Sequence, residues 1–271
     1  MAPKLGIIAG SGTLPKKLVE KCRETGRNCF VLALEGETDP ACVEGVEHLW
    51  SRMGAAAKNF AALRQAGVRE LVMVGGVRRP SLAGLRPDWR AAQFFARIGL
   101  RALGDDGLLS AVVKELEKEG FALVGVESVL SDALAPEGPF GRLRPDPQAQ
   151  ADIEHGFKVA AVLGALDIGQ AVIVQQGMVL GVEAIEGTDA LMRRCATLRR
   201  EGPGGVLVKT KKPNQERRAD LPTIGPHTVE AAHASGLRGI AVEAWSTLVI
   251  EREEMTALAD RLGLFVIGRA V

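Results

Sequence analysis

The chain has 271 residues, 46% of them apolar, enough for one large or two modest domains with a substantial buried core. A formal net charge of +1 argues against a nucleic-acid protein working through a broad basic surface, and the absence of tyrosine argues against stacked-base recognition. Four cysteines without a CxxC pair read as buried or incidental thiols in a reducing compartment, not as disulfides or zinc ligands.

"MAPKLGIIAGSG" reaches turn glycines after a few apolar residues and so does not read as a signal peptide. No apolar run approaches the ~18 residues of a membrane span, and the expectation is a soluble, cytoplasmic protein. The first half then alternates short apolar runs with helical patterns. Strands are expected at 5–10, 29–34, 70–76 and 121–127, with helices at 14–26, 56–67 and 105–120 between them. Continuously apolar strands separated by helices indicate βαβ units and a parallel sheet.

Pro136, Pro139, Pro145 and Pro147 then mark a boundary. The expected division is an N-terminal Rossmann-like domain over 1–134, a Pro-rich linker or crossover over 135–147, and a second α/β domain over 148–271. The second half reads as a helix from 148, two strands around a Gln-Gly turn within 170–184, and a helix from Thr188. A strand at 205–210 follows, then a loop, a helix at 228–236, strands at 239–244 and 247–250, a helix at 252–263 and a closing strand at 264–268.

Three places carry candidate chemistry. Gly10-Ser11-Gly12 follows the first strand and opens a helix, a setting where free amides bind phosphate or another anion. Glu35 at the end of the second strand supports a dinucleotide fingerprint, but Pro15 stands where its third glycine belongs. Gly75, Gly76, Arg78 and Arg79 lie at the carboxyl edge of the same sheet, where doubly wound folds bind ligands. One residue of Asp105-Asp106 is explained by helix capping, and the other is a ligand or metal candidate.

The second place is "VEAIEGTDALMRR" (182–194). Thr188 and Asp189 suit a helix start, whereas Glu183 in a strand needs a partner. The third is "KTKKPNQERRADLPTIGP" (209–226), whose prolines make it a loop of densely mixed charge. Sequential elements tend to be neighbours, so carboxylates of 183–189 are expected to face Lys209, Lys212, Glu216, Arg218 and Asp220. Cations would hold a polyanion, and carboxylates a divalent cation bridging it. Magnesium fits such a set better than zinc. The four histidines lack HxxxH or HExxH spacing, and His227, just beyond the loop, reads as a cap or surface residue before a base.

At these residues the chain resembles the UDP-2,3-diacylglucosamine pyrophosphatases of lipid A biosynthesis in their two-domain α/β, LpxI-type form. The landmarks are "GIIAGSGTLP", "GDDGLL", "DIGQAVIVQQGMVLGVEAIEGTDALMRR", "GVLVKTKKPNQERRADLPTIGP" and "GLFVIG", spread over nearly the whole chain. The resemblance implies Mg2+-dependent hydrolysis of a lipid-linked UDP-sugar to UMP and lipid X, with the ligand in a cleft between the domains and Asp220 needed for activity. Asp220 and Glu216 are the expected catalytic residues, and Asp220, Glu216, Glu186 and Asp189 the expected metal ligands. Gly10, Ser11, Gly12, Gly76, Arg79, Thr188, Lys209, Lys212, Gln215, Arg218 and Thr223 are expected to bind substrate. Glu216 stands where the family often has aspartate, and Gly76 where it often has asparagine or lysine.

Leu14, Phe94, Phe95, Leu100 and Leu103 are candidates for an acyl chamber as well as for core. Transient peripheral contact with the cytoplasmic face of the inner membrane is expected, no nucleic acid, and a homodimer is allowed. The rival readings are a nicotinamide-dependent oxidoreductase, from Gly10, Gly12 and Glu35, and a non-catalytic nucleotide-sugar or lipid carrier.

Overall fold

The computed structural model describes residues 2–78, 85–98, 105–213 and 215–271, with residues 105 and 106 described in backbone only. The chain divides into two compact units. One holds residues up to Ser131 together with Glu216–Asp220; the other holds Asp132–Gln215 and Leu221–Val271. The backbone therefore passes from one unit to the other three times, and the charged loop supplies five residues to the first.

The first unit is a parallel five-stranded sheet of β1 (Leu5–Ala9), β2 (Cys29–Leu34), β3 (His48–Ser51), β4 (Glu70–Val74) and β5 (Ala122–Leu123), in the order β3-β2-β1-β4-β5. This is the Rossmann-like sheet that the alternation of apolar runs and helices predicts. Its helices are α1 (Leu14–Glu24), α2 (Ala56–Gln65), α3 (Trp89–Ile98) and α4 (Asp105–Lys118). Phe30, Leu63, Leu71, Val113, Leu116 and Leu123 form one core, to which Ala219 of the charged loop adds its methyl group. Successive strand residues face opposite ways, so Leu5, Ile7 and Ala9 are buried on the other face.

Three differences from the sequence reading have local causes. The fourth expected strand shortens to two residues, because Gly125 starts a 3-10 turn at Val126–Ser128. The strand His48–Ser51 was not anticipated; it is four residues long and pairs with β2 alone. Helix α3 was likewise not anticipated, and Asp88 opens it by accepting from the Ala91 amide at 2.9 Å.

The second unit is a six-stranded mixed sheet with the order β6-β13-β11-β9-β7-β8. Its strands are β6 (Gly138–Pro139), β7 (Ala171–Gln175), β8 (Met178–Val182), β9 (Val206–Lys209), β11 (Gly239–Glu243) and β13 (Phe265–Arg269). β9, β11 and β13 run parallel, and β7, β8 and β6 join antiparallel. A separate parallel pair is formed by β10 (Thr223–Ile224) and β12 (Leu248–Val249). Helix α5 (Pro147–Ala165) covers one face through Ala149, Ile153 and Phe157. Helices α6 (Thr188–Ala196), α7 (Pro226–Ala234) and α8 (Arg252–Leu262) cover the other through Leu191, Met192, Val229, Met255 and Leu258.

The Pro-rich stretch 135–147, expected as a linker, folds into this second unit. Ala135 is fully buried and exchanges 2.8 Å backbone bonds with Thr247 and Trp245, while Gly138–Pro139 pairs on the sheet edge. An edge is where a strand tolerates proline. Asp146 caps α5 by accepting from Ala149 N–H at 2.8 Å, and Pro147 takes the first helical position. The Gln-Gly turn is as expected: Gln176 and Gly177 both have positive φ, the geometry of a two-residue hairpin. Asp152, 1% exposed, locks it by accepting from both turn amides at 3.0 and 2.7 Å. Among the described residues no helix is long and apolar enough to cross a membrane.

Candidate functional site

The loop after β8 and the helix that follows it build one side of a polar pocket in the second unit. Gly187, with φ 80°, turns the chain into α6, so that Thr188 and Asp189 form its first turn. The start of α7 contributes Thr228, β9 ends in Lys209, and Thr223 comes from β10. These residues, with Glu186 and Gly187, line a pocket of about 300 Å3. Two helix N-termini border it, each carrying a partial positive charge that favours an anion.

The side chains around this pocket are held in place. Arg194 bridges Val182 O at 2.9 Å and Glu186 Oε1 at 2.7 Å, and the guanidinium holds the Glu186 carboxyl below the usual range. Glu186 Oε2 also accepts from Ala184 N–H at 3.1 Å. Lys209, 8% exposed, donates to Thr223 O at 3.2 Å. Asp189 Oδ2 lies 3.1 Å from His227 Nε2 across the two helix starts. That pairing accounts for His227 at its exposed position, as a clamp at the helix starts.

The partner that Glu183 requires is Thr188. Its hydroxyl donates to Glu183 Oε1 at 2.7 Å, and Gln170 N–H donates to Oε2 at 3.1 Å. The pocket thus collects Glu186, Thr188, Asp189, Lys209 and Thr223 from the residues singled out in the sequence, and adds Thr228. Thr228 carried a signal that went unread: three residues after Gly225, it accepts from the Gly225 amide at 3.2 Å, a cap at the helix start.

The rest of the charged loop is tied down, which explains its mixture of signs. Lys212, 9% exposed, pairs with Asp167 at 2.6 Å. Gln215, 6% exposed, closes a turn by accepting from Lys212 N–H at 3.0 Å. Glu243 accepts from the Thr210 hydroxyl and from Lys211 N–H. Within the first unit, both Glu216 oxygens sit on the Arg218 guanidinium at 2.9 Å, and Arg218 also reaches Glu117 at 2.7 Å. The Arg218 fork lowers the Glu216 pKa, and the two carboxylates raise that of Arg218. Arg217 reaches Glu127 at 3.5 Å. Asp220 follows the turn, donating its amide to Glu216 O at 3.0 Å, and is partly exposed. Glu216, Arg218 and Asp220 therefore belong to the first unit, and the carboxylates of the pocket to the second.

The glycine loop is used differently from the expectation of free amides. Gly10 N–H donates to Val74 O at 2.8 Å, and Ser11 and Gly76 exchange backbone bonds at 2.8 and 3.1 Å. Ser11 Oγ adds a 2.9 Å bond to Gly76 O. The amides of Gly10 and Ser11 are spent on this bridge, and the glycines allow two loops to meet. A Cβ on Gly10 would lie 2.9 Å from Gly75 C, in backbone. Arg78 donates to Glu37 and Gly36 O. Arg79, Leu100 and Leu103 lie outside the described residues, as do the side chains of Asp105 and Asp106. Leu14 is core, and Phe94 packs edge-on against Phe95 at 5.3 Å.

No group of three or more His, Cys, Asp or Glu side chains forms a metal cage among the described residues. Glu186 and Asp189 could supply the one or two carboxylates that magnesium commonly takes together with waters and substrate phosphates, with Glu186 shared with Arg194 and the Ala184 amide and Asp189 with His227. Glu216, with both oxygens on Arg218, would first have to leave that fork.

Fold and pocket together define a two-unit α/β protein with a Rossmann-like first unit and a polar pocket in the second. The model of the LpxI N-terminal domain matches residues 4–133, and that of the LpxI C-terminal domain matches residues 136–267. The chain belongs to the LpxI family. It is 43% identical over 272 aligned positions to a protein of Caulobacter vibrioides named UDP-2,3-diacylglucosamine pyrophosphatase LpxI, with 98% of this chain and 97% of that protein covered.

Proposed function

We propose that this chain hydrolyses the diphosphate of UDP-2,3-diacylglucosamine in lipid A synthesis, giving UMP and 2,3-diacylglucosamine 1-phosphate with magnesium as cofactor. Kinship over nearly the full length with a protein named for that activity supports the hydrolase reading. The observation that carries it in the structure is the pocket where Glu186, Asp189, Lys209 and two helix N-termini converge. Carboxylates alone would repel a diphosphate; a lysine, two positive helix ends and a divalent ion make such a pocket hospitable to one.

Hydrolysis needs an aligned water, neutralised phosphoryl oxygens and a stabilised leaving group. Bound magnesium would supply Lewis-acid neutralisation of the phosphate charge, with Glu186 and Asp189 as candidate oxygen donors. Lys209 supplies a fixed positive charge, held by its bond to Thr223 O. Asp220 is assigned the catalytic role of orienting the attacking water: a water oxygen bonds to phosphorus, the bond to the bridging oxygen breaks, and the water proton leaves through the carboxylate or solvent. Lys212 and Arg218, each already paired, act by holding the loop's shape.

Two acyl chains on the substrate fit a peripheral, transient meeting with the inner membrane. Ile185, fully exposed beside Glu186, gives the pocket rim an apolar point for such a contact. The test is Asp220→Ala, assayed on UDP-2,3-diacylglucosamine with magnesium present. Turnover should fall at least a thousandfold with the variant still folded, and an active variant would remove Asp220 from the mechanism.

A further inference from the structure

Glu183 is a carboxylate 6% exposed, a placement that is costly unless its oxygens are hydrogen-bonded. Both are. Oε2 accepts from Gln170 N–H at 3.1 Å, and Oε1 accepts from the Thr188 hydroxyl at 2.7 Å. Thr188 does not cap its own helix: the N-cap is Gly187, and no side chain caps the α6 start. Its hydroxyl proton is therefore given to Glu183 and not to the backbone.

A threonine hydroxyl has one proton and two lone pairs. With the proton committed, Thr188 faces the pocket as an acceptor. Thr223, on another wall, also gives its proton inward, to Leu221 O at 3.2 Å. Beside them stand the carboxylates of Glu186 and Asp189. With its proton on Glu183, the Thr188 hydroxyl has no hydrogen bond to give a phosphate oxygen, whereas it can accept one from a hydroxyl or an imide N–H.

We infer that Glu183 is a positioning residue that fixes the Thr188 hydroxyl as an acceptor, so that this wall reads a hydrogen-bond donor of the substrate. The inference rests on the hydrolase reading. Either a sugar hydroxyl or the uracil imide could supply the donor, since the chemistry is the same.

The experiment is a double-mutant cycle on the full chain, hydrolysing UDP-2,3-diacylglucosamine. Glu183→Gln keeps the shape but must aim an amide NH2 at either Thr188 or the Gln170 N–H, so that the hydroxyl turns its proton into the pocket or a donor is left unpaired. Thr188→Val removes the hydroxyl. Each should raise KM about tenfold with kcat little changed, the size expected for one well-placed hydrogen bond. The double variant should match Thr188→Val alone, because Glu183 acts through that hydroxyl. Multiplying effects, or an unchanged KM in both single variants, would overturn the assignment.

Should Glu183→Gln fail to fold, Thr188→Ser and Thr188→Val decide: serine keeps the wild-type KM and valine does not, and equal KM values refute the inference. Product inhibition identifies the source. Weaker inhibition of Thr188→Val by UMP points to the nucleoside, and by glucosamine 1-phosphate to the sugar; unchanged inhibition by both refutes the contact. If wild-type enzyme does not turn over at all, the hydrolase reading fails. The Glu183 claim then stands or falls on NMR, as a slowly exchanging Thr188 hydroxyl proton present in wild type and lost in Glu183→Gln.

Discussion

Replacing Gly10 by alanine tests whether the glycine loop serves the protein's own backbone. The added Cβ would collide with Gly76 O and lie 2.9 Å from Gly75 C, both in backbone that cannot rotate away. Overpacking of that kind costs about 1–3 kcal/mol. Opening the gap also weakens the paired Ser11–Gly76 bonds of 2.8 and 3.1 Å, each contributing about 1 kcal/mol. The expected loss is therefore about 2–4 kcal/mol, confined to the first unit. Gly75→Ala should lose at least as much, because φ is +93° there and the Cβ again meets backbone. Gly76→Ala is the control: its Cβ meets only Ser11 Oγ at 2.9 Å, a side chain that can turn, and the loss should stay below about 1 kcal/mol. Native-state hydrogen exchange of β1, β2 and β4 amides reads the first unit by itself. A Gly10→Ala chain within about 0.5 kcal/mol of wild type but with a raised KM would refute the reasoning and return the loop to ligand binding.

The Lys212–Asp167 pair gives an asymmetric pair of outcomes. Asp167→Asn keeps the left-handed backbone at φ 54° but removes the anion beside an ammonium 11% exposed. Loss of one partner of a buried pair costs about 3–5 kcal/mol; since Asp167 is 30% exposed, solvent screening reduces this to about 1–3 kcal/mol in urea unfolding. Lys212→Met removes the charge itself and should cost less than Asp167→Asn; the reverse order would contradict the buried-pair account. The thiols supply a pH test. A hydrogen bond from Cys22, with help from Arg23, Lys4 and Arg27, lowers the Cys29 pKa to about 7 against the opposing effect of burial, whereas burial pushes Cys42 up to about 11. The thiolate is the reactive form, so alkylation of Cys29 by iodoacetamide should rise with pH to half its maximum near 7 and outrun the other three thiols. Equal rates at Cys29 and Cys42, followed by mass spectrometry, would contradict the environment described.

The parts of this molecule that a reader of the sequence could see are those set by short-range chemistry. The Gln176-Gly177 hairpin turn needs positive φ at both positions and showed itself in the dipeptide and its flanking apolar strands. Apolar β1, β2 and β4 separated by helices similarly announced a parallel sheet. The start of α5 was legible in Asp146-Pro147, a cap followed by a first-turn proline, yet the surrounding prolines suggested a linker. One of those prolines, Pro139, sits on a sheet edge, a placement decided by β13 more than a hundred residues later.

The same division runs through the site. Local sequence marked 183–189 and Lys209, and Glu186–Asp189 share a pocket with Lys209. It could not tell that Lys212 is matched by Asp167, or Arg218 by Glu117, since those partners are 45 and 101 residues away. Nor did the glycine loop reveal that its amides are spent on Gly76 and Val74. A glycine placed for a phosphate and one placed for a second loop look alike in sequence, because each only reports that something comes close.

The hydrolase account is tested most directly by phosphorus NMR of UDP-2,3-diacylglucosamine incubated with the intact chain. With magnesium the account predicts that the two coupled diphosphate signals give way to two uncoupled monophosphates, those of UMP and the acylated sugar 1-phosphate. Excess chelator should leave the diphosphate intact. A diphosphate that survives with magnesium, or is cleaved at the same rate under chelation, would contradict it.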